Sequence, residues 1–366
     1  MTDVTQGIPV AARTRPPRSS GVLGWLRANL FNGITSTILT LLCAALIAVT
    51  IPPVIRWGLS DAIWSAPNGQ ACHGGGACWA FIGAKFRFIL FGFFPAGESW
   101  RPVTAVGIFL VMILAACNRR IWGRRLGYVW VVGLGAVFAL MRGGALGLSR
   151  VDTALWSGLP LTLILAVVGM LFGFPLGVLL ALGRRSRLPA VRAICVGYIE
   201  LVRGVPLVTM LFMASLMLPL FLPTGMTIDK LVRAQLAFIL FAGAYLAEVV
   251  RGGLQAIPRG QIEAADALGL SYLQRTRLIV LPQALAMVIP PLVNTFIGIF
   301  KDTALVIIIS LFDLLTTAET ALSDVNWQGF YIEAYAFVGV IYWSFCFFMS
   351  RYSQLLEREF NRGRRR

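Results

Sequence analysis

Residues 155–182 read LWSGLPLTLILAVVGMLFGFPLGVLLAL, 28 positions without one ionisable side chain. A helix of about 20 apolar residues crosses the hydrocarbon core of a bilayer, so this stretch reads as a membrane span. Working outward, comparable apolar segments lie at about 30–55, 102–118, 126–142, 193–222, 231–251, 283–312 and 331–350. Composition agrees: of 366 residues 58% are hydrophobic and 13% charged, whereas soluble domains carry about 25% charged residues. Mean hydropathy is +0.78. The expected fold is an all-α polytopic membrane protein of about eight transmembrane helices, and a soluble catalytic domain is excluded.

The 32 basic residues outnumber the 16 acidic ones, for a net charge of +16. They cluster between the apolar runs, as in Arg119, Arg120, Arg124 and Arg125, in Arg184, Arg185 and Arg187, and in Arg364, Arg365 and Arg366. That placement follows the positive-inside rule and argues for a lipid bilayer, with no nucleic-acid partner. With both termini cytoplasmic, the inner segments (1–29, 117–127, 183–202, 251–282, 351–366) hold 22 Lys and Arg. The outer segments (56–101, 142–150, 223–233, 317–330) hold 8, and Arg203 and Lys301 lie within apolar regions. Residues 1–29, polar and rich in Pro and Arg, read as a disordered cytoplasmic tail without the form of a signal peptide. Residues 353–366 read as a basic cytoplasmic tail.

Cys43, Cys117, Cys195 and Cys346 fall in or beside apolar segments, where a thiol is a small apolar filler. Cys72 and Cys78 lie instead in the Gly-rich stretch GQACHGGGACW of the outer loop, where a disulfide persists. Free thiols are the alternative there. A metal site using His73, the single histidine, matches no standard zinc spacing. Further along, Phe86-Arg87-Phe88-Ile89-Leu90-Phe91-Gly92-Phe93-Phe94 before Pro95 is too short to span, and reads as interfacial or re-entrant.

Gly204, Pro206, Pro219, Pro223, Pro290 and Pro291 interrupt apolar runs. Irregular backbone at membrane depth persists where protein or a water-filled cavity satisfies the freed polar groups. The clusters at 204–206 and 290–291 therefore point to a translocation path, with Pro kinks in tilted helices as the plainer reading.

The polar stretch IPRGQIEAADALGLSYLQRTRLIVLPQAL is an inner loop built as two short helices. Gly260 is expected to cap the first, placing Glu263 at its third position, where a carboxylate favours the positive helix end. Gly269 stands where a left-handed C-terminal residue is needed. Ser271 and Gln274 make a capping box opening the second helix, which is expected to end before Pro282. Ala264, Ala265 and Ala267 keep the first helix slim enough for a groove on another protein.

Here the sequence resembles a known family. Glu263-Ala264-Ala265, Gly269 and Ile279-Val280-Leu281-Pro282 match the EAA loop of ABC-importer permeases, E-A-A-x3-G-x9-I-x-L-P. Glu200-Leu201-Val202-Arg203-Gly204-Val205-Pro206, Ala244 to Gly253 (AYLAEVVRGG) and Phe300-Lys301-Asp302-Thr303-Ala304-Leu305 are similar to segments of the polar amino-acid uptake permeases. Ala304 stands where family members often carry Ser. Residues 151–352 resemble the five-span core, with the EAA loop at 258–282. Residues 30–150, three further spans with the large loop, resemble the broad-specificity L-amino-acid permease subunit.

The resemblance implies a subunit of an ATP-driven importer that moves L-amino acids from periplasm to cytoplasm by alternating access, in a bacterial inner membrane. It assigns ATPase coupling to Glu263, Ala264, Ala265, Gly269, Ile279, Leu281 and Pro282. It implies as partners an ABC ATPase dimer, a second homologous permease subunit and a periplasmic amino-acid-binding protein. The chain has no Walker A motif G-x4-G-K-[ST]. It is accordingly not an enzyme and is expected to bind no cofactor, ATP and Mg residing on the partner ATPase.

Ionisable residues at membrane depth are functional candidates. Glu200 with Arg203, and Glu248 with Arg251, are three apart and read as structural ion pairs. An amino acid offers an ammonium and a carboxylate, for which Asp302 and Arg203 or the break at Gly204-Pro206 are candidate partners, with Thr209 and Thr303 adding hydroxyls. The rival reading is a secondary transporter coupled through Asp302 or Glu248, which has no use for a docking loop.

Overall fold

The computed structural model describes residues 21–144, 147–223 and 225–364. Most of the expected N-terminal tail, residues 1–20, and Arg365 and Arg366 of the C-terminal basic cluster lie outside them. Among the described residues the chain is helical, with one isolated bridge, Gly158 to Asp313, and no strand. It divides into two compact units, Met1–Ile63 with Gly74–Ala77, and Trp64–His73 with Cys78–Arg366.

In the first unit, α1 (Val22–Asn29) precedes α2 (Ile34–Ile55), which runs on through a π turn at Arg56–Ser60. The tail expected to be disordered through residue 29 is thus helical from Val22, because Val22, Leu23, Trp25 and Leu26 interrupt its polar composition. Asn29 Nδ2 also donates to the Trp25 carbonyl at 2.8 Å.

The second unit opens with α3 (Trp79–Phe91), α4 (Trp100–Cys117), α5 (Arg124–Arg142) and α6 (Gly158–Arg184). α7 (Pro189–Gly204), α8 (Leu207–Phe212), α9 (Lys230–Gln255), α10 (Arg259–Ala267), α11 (Tyr272–Arg275) and α12 (Leu281–Met287) follow. α13 (Ile289–Asp302), a 3-10 turn at Thr303–Ile309, α14 (Leu314–Ala321) and α15 (Tyr331–Arg364) complete it. Residues 353–364, expected as a tail, continue α15 without a break. Seven helices among the described residues are long and apolar enough to cross a membrane, or eight if the bent pair of α7 and α8 is one span. That pair replaces the single segment expected at 193–222 and bends by 103°. Pro206 lacks an N–H and forces the residue before it out of helical geometry, and Val205 is extended at φ −109°, ψ 131°.

The centre of this unit is the seam between α6 and α9. A Cβ on Gly173 would stand 2.7 Å from the Ala242 Cβ, and one on Gly177 2.8 Å from the Leu246 Cβ. Absent side chains let the two backbones approach, the usual solution where lipid gives helices no hydrophobic drive to associate. Buried polar groups are satisfied locally. Asp313, fully buried, caps α14 by accepting from the Thr316 and Leu315 amides, and takes the Tyr342 hydroxyl at 3.0 Å. Arg101, also fully buried, donates to the Leu140, Met141 and Ser149 carbonyls and pairs with Glu98. It thereby satisfies carbonyls at the C-terminal end of α5 that no helical amide reaches.

Candidate coupling loop and translocation path

The candidate coupling loop, residues 258–282, is stiffened by its own sequence. α10 ends in a Schellman motif: the Leu270 amide donates to Ala265 O at 3.2 Å and the Gly269 amide to Asp266 O at 3.0 Å. Gly269 has φ 72°, the left-handed geometry expected of it. Ser271 and Gln274 form the complete capping box at the start of α11. Side chains then tie the two arms together. The Arg275 guanidinium pairs with Asp266 and lies over the Tyr272 ring at 5.6 Å, and Gln283 Nε2 donates to Gln261 Oε1 at 3.3 Å.

Two expectations are corrected here. α10 starts one residue before Gly260, with extended Pro258 as its N-cap, so no acidic residue occupies its first turn and Glu263 lies beyond the reach of the helix-end charge. The second arm does not stop before Pro282. It passes through a π turn at Thr276–Val280 into α12, where Pro282 is at the second position. Within the motif, Ala265 is buried while Glu263, Ala264 and Pro282 are exposed, and Ile279 and Leu281 are half-buried. Beside them Leu268, Tyr272, Leu273 and Leu278 are all more than half exposed. Behind the loop a cavity of about 590 Å³ is bounded by Leu182 and Arg185, by Leu254, and by Ile262 and Arg275.

At membrane depth the partners differ from those sequence spacing suggests. Glu248 pairs with Arg251 at 2.5 Å as expected, but Arg203 turns to Glu248 at 3.4 Å and Glu200 turns to Arg184 at 2.8 Å. Glu200 and Arg203 are therefore not a pair. The Arg203 guanidinium stacks over Tyr245 at 5.8 Å, which draws it toward α9. Arg184 also approaches Glu248 at 3.7 Å, so three guanidinium groups from α6, α7 and α9 surround one carboxylate.

Around the break, Thr209 is exposed on α8 and Asp302 half-buried at the end of α13, with neither hydrogen-bonded nor ion-paired to the other or to Arg203. Asp302 and Lys301 form no ion pair among the described residues. Thr303 does not offer a hydroxyl to a path: it is fully buried and donates to the Phe300 carbonyl at 2.8 Å.

The description "binding-protein-dependent transport system inner membrane component" matches residues 173–362. The inner membrane amino-acid ABC transporter permease protein YhdY of Escherichia coli K12 is 49% identical, across 96% of this chain and 98% of its own length. The chain belongs to this family. The permease is also 38% identical to the glutamate/glutamine/aspartate/asparagine transport system permease protein BztC of Rhodobacter capsulatus, over 97% of this chain and 98% of that one. A solved amino acid ABC transporter with histidines is 33% identical, covers 55% of this chain and 92% of the other, and has a TM-score of 0.49.

In the loop that leads into α3, Cys72 and Cys78 are joined, with Cα atoms 5.7 Å apart. The Cys78 amide donates to buried Glu333 at 2.9 Å, and Lys85 of α3 pairs with Asp324. Phe81, Trp327 and Phe330 pack as an aromatic cluster against these polar contacts. His73 stacks on Phe330, and no group of three His, Cys, Asp or Glu side chains suited to a metal occurs among the described residues. Sequence reasoning missed Asp313 and the glycine seam, although Asp313 stands before a helical run and Gly169, Gly173 and Gly177 recur every fourth residue.

Proposed function

We propose that the permease carries L-amino acids from periplasm to cytoplasm by alternating access, driven by ATP hydrolysis on a partner ATPase dimer. The observation that carries this reading is the coupling loop, a pair of short helices locked by a Schellman motif, a capping box and the Asp266–Arg275 pair. It presents Leu268, Leu273 and Leu278 to a partner. A helix pair so rigidly held transmits displacement of its docking face into α12 and α13. The amino-acid class is supported by the wording of the names of both full-length relatives. A second homologous permease subunit and a periplasmic binding protein complete the assembly.

The orientation is supported by the Lys and Arg asymmetry, which sets both termini and the coupling loop in the cytoplasm and residues 56–101 in the periplasm. In that frame the Cys72–Cys78 bond lies in an oxidising compartment. Asp302, Thr209 and Arg203 line the path near the 204–206 break, with Asp302 as the ammonium partner. Co-purification with an ATPase, followed by ATP-dependent uptake in liposomes containing the binding protein, tests the proposal. Amino-acid transport by this chain alone without ATP would establish the secondary-transporter reading instead.

A further inference from the structure

A second cavity, of about 440 Å³, is almost wholly apolar and runs between α4 and α5 on one side and α6, α13 and α15 on the other. Ile113 of α4, Trp130 of α5, Leu171 of α6, Phe296 of α13, and Phe348 and Tyr352 of α15 face it. All of these helices are candidate membrane spans. A packed interior leaves few voids larger than a water, and one this large and apolar, partly open in a bilayer, meets lipid chains.

Its dimensions and rim identify the occupant. The α15 lining extends from Phe345 to Leu356, about 17 Å of helix at 1.5 Å per residue, which matches the roughly 15 Å hydrocarbon depth of one leaflet. The rim is built around the Ala116 carbonyl, which accepts from Trp122 Nε1 at 2.8 Å and from the Tyr352 hydroxyl at 3.4 Å. Arg119, in the turn just past this rim, pairs with Glu359. Arg120, Arg124 and Arg125 follow, exposed and without an ion pair among the described residues. Guanidinium groups bind phosphate through paired hydrogen bonds, and basic pockets between transmembrane helices take anionic headgroups.

We propose that this cleft is a binding site for one anionic glycerophospholipid, an acyl chain filling the cavity and the phosphate held by Arg120, Arg124 and Arg125. The lipid then cements α4 and α5 to the core. The site is independent of the transported substrate, and in the orientation proposed above it opens to the cytoplasmic leaflet.

The test is native mass spectrometry of the full chain purified from membranes in detergent, offered phosphatidylglycerol or phosphatidylethanolamine of identical chains. The native chain should retain phosphatidylglycerol about tenfold better, as expected for several basic contacts at a headgroup. R120Q/R124Q/R125Q should lose the preference, and Ile113→Trp, which fills the cavity, should retain neither lipid. Quenching of Trp130 by phosphatidylglycerol with brominated chains, taken as the difference between the native chain and Trp130→Phe, supplies a readout that needs no cavity-filling variant. Equal retention of the two lipids by the native chain, or no quenching assignable to Trp130, would overturn the proposal.

Discussion

The coupling loop and the charged cluster around Glu248 are both polar interruptions of an apolar chain, yet they are organised in opposite ways. In the loop nearly every stabilising contact joins residues within a dozen positions: Ala265 with Leu270, Ser271 with Gln274, Asp266 with Arg275. In the cluster only Arg251 reaches Glu248 from the same helix, while Arg184 and Arg203 reach it from α6 and α7. The loop therefore keeps its shape whatever the spans do. The cluster depends on how α6, α7 and α9 are packed, and changes if they move relative to one another.

Gly269→Val should break the contrast on the loop side with the largest effect. A β-branched residue at φ 72° is strained by roughly 1–2 kcal/mol, enough to turn α11 relative to α10. Substrate-stimulated ATPase activity and uptake should fall together by more than tenfold (a factor of ten is about 1.4 kcal/mol), with membrane levels unchanged. Normal uptake would sink the coupling assignment. On the cluster side, Glu248→Gln leaves three guanidinium groups without their shared anion. Loss of one partner from a mostly buried pair costs about 3 kcal/mol, so the thermal midpoint of the detergent-solubilised permease should drop by several degrees.

Asp302→Asn sharpens the comparison differently, because among the described residues Asp302 has no ion-pair partner to orphan. Uptake should fall about tenfold, as for loss of a charge-assisted contact, while assembly and thermal midpoint stay at native values; a lowered midpoint would mark Asp302 as structural. Glu263→Ala should have a smaller effect, about twofold on stimulated ATPase activity, since the side chain lies outside the first turn of α10 and is worth less than a helix-end charge.

The smallest effect is a pH response at the Lys85–Asp324 bridge. The Lys85 hydrogen bond holds the Asp324 carboxyl below the ordinary carboxylate range, so the pair contributes fully above the unfolded-chain value and fades as pH falls through the lower folded one. Asp324→Asn should thus lower the thermal midpoint slightly at pH 7 and leave no difference from native at pH well below 4. A difference that persists in acid would remove the bridge as its cause.

Local contacts were legible in the sequence. The spans follow from apolar runs, the left-handed Gly269 from its place after a helical run, and the capping box from Ser271 and Gln274. Helix α1 and the bridging of the π turn were not, since four apolar residues in a polar tail and a Pro at position 282 carry opposite local signals. Glu200 and Arg203 were mispaired because i,i+3 spacing permits contact without excluding Arg184 or Glu248 from other helices. The role of Thr303 was overread for the same reason: a hydroxyl beside an aspartate says nothing of its burial or of its bond to the Phe300 carbonyl.

The π turn at Thr276–Val280 sets an angular phase. Its closing bond runs from the Leu281 amide to Thr276 O, five residues back instead of four, and each helical residue advances the azimuth by about 100°. That single surplus residue determines which side of α12 faces α9, where the Ala284 carbonyl sits so near Gly253 that a Cβ there would come within 2.5 Å. Deleting one residue from the turn would preserve a helix of the same composition and swing Ala284 about 100° out of that contact. The number of residues between the proposed docking face and the spans is therefore as much a part of the linkage as their identity, in the way that the tooth count of a gear, and not its metal, decides where the next wheel stops.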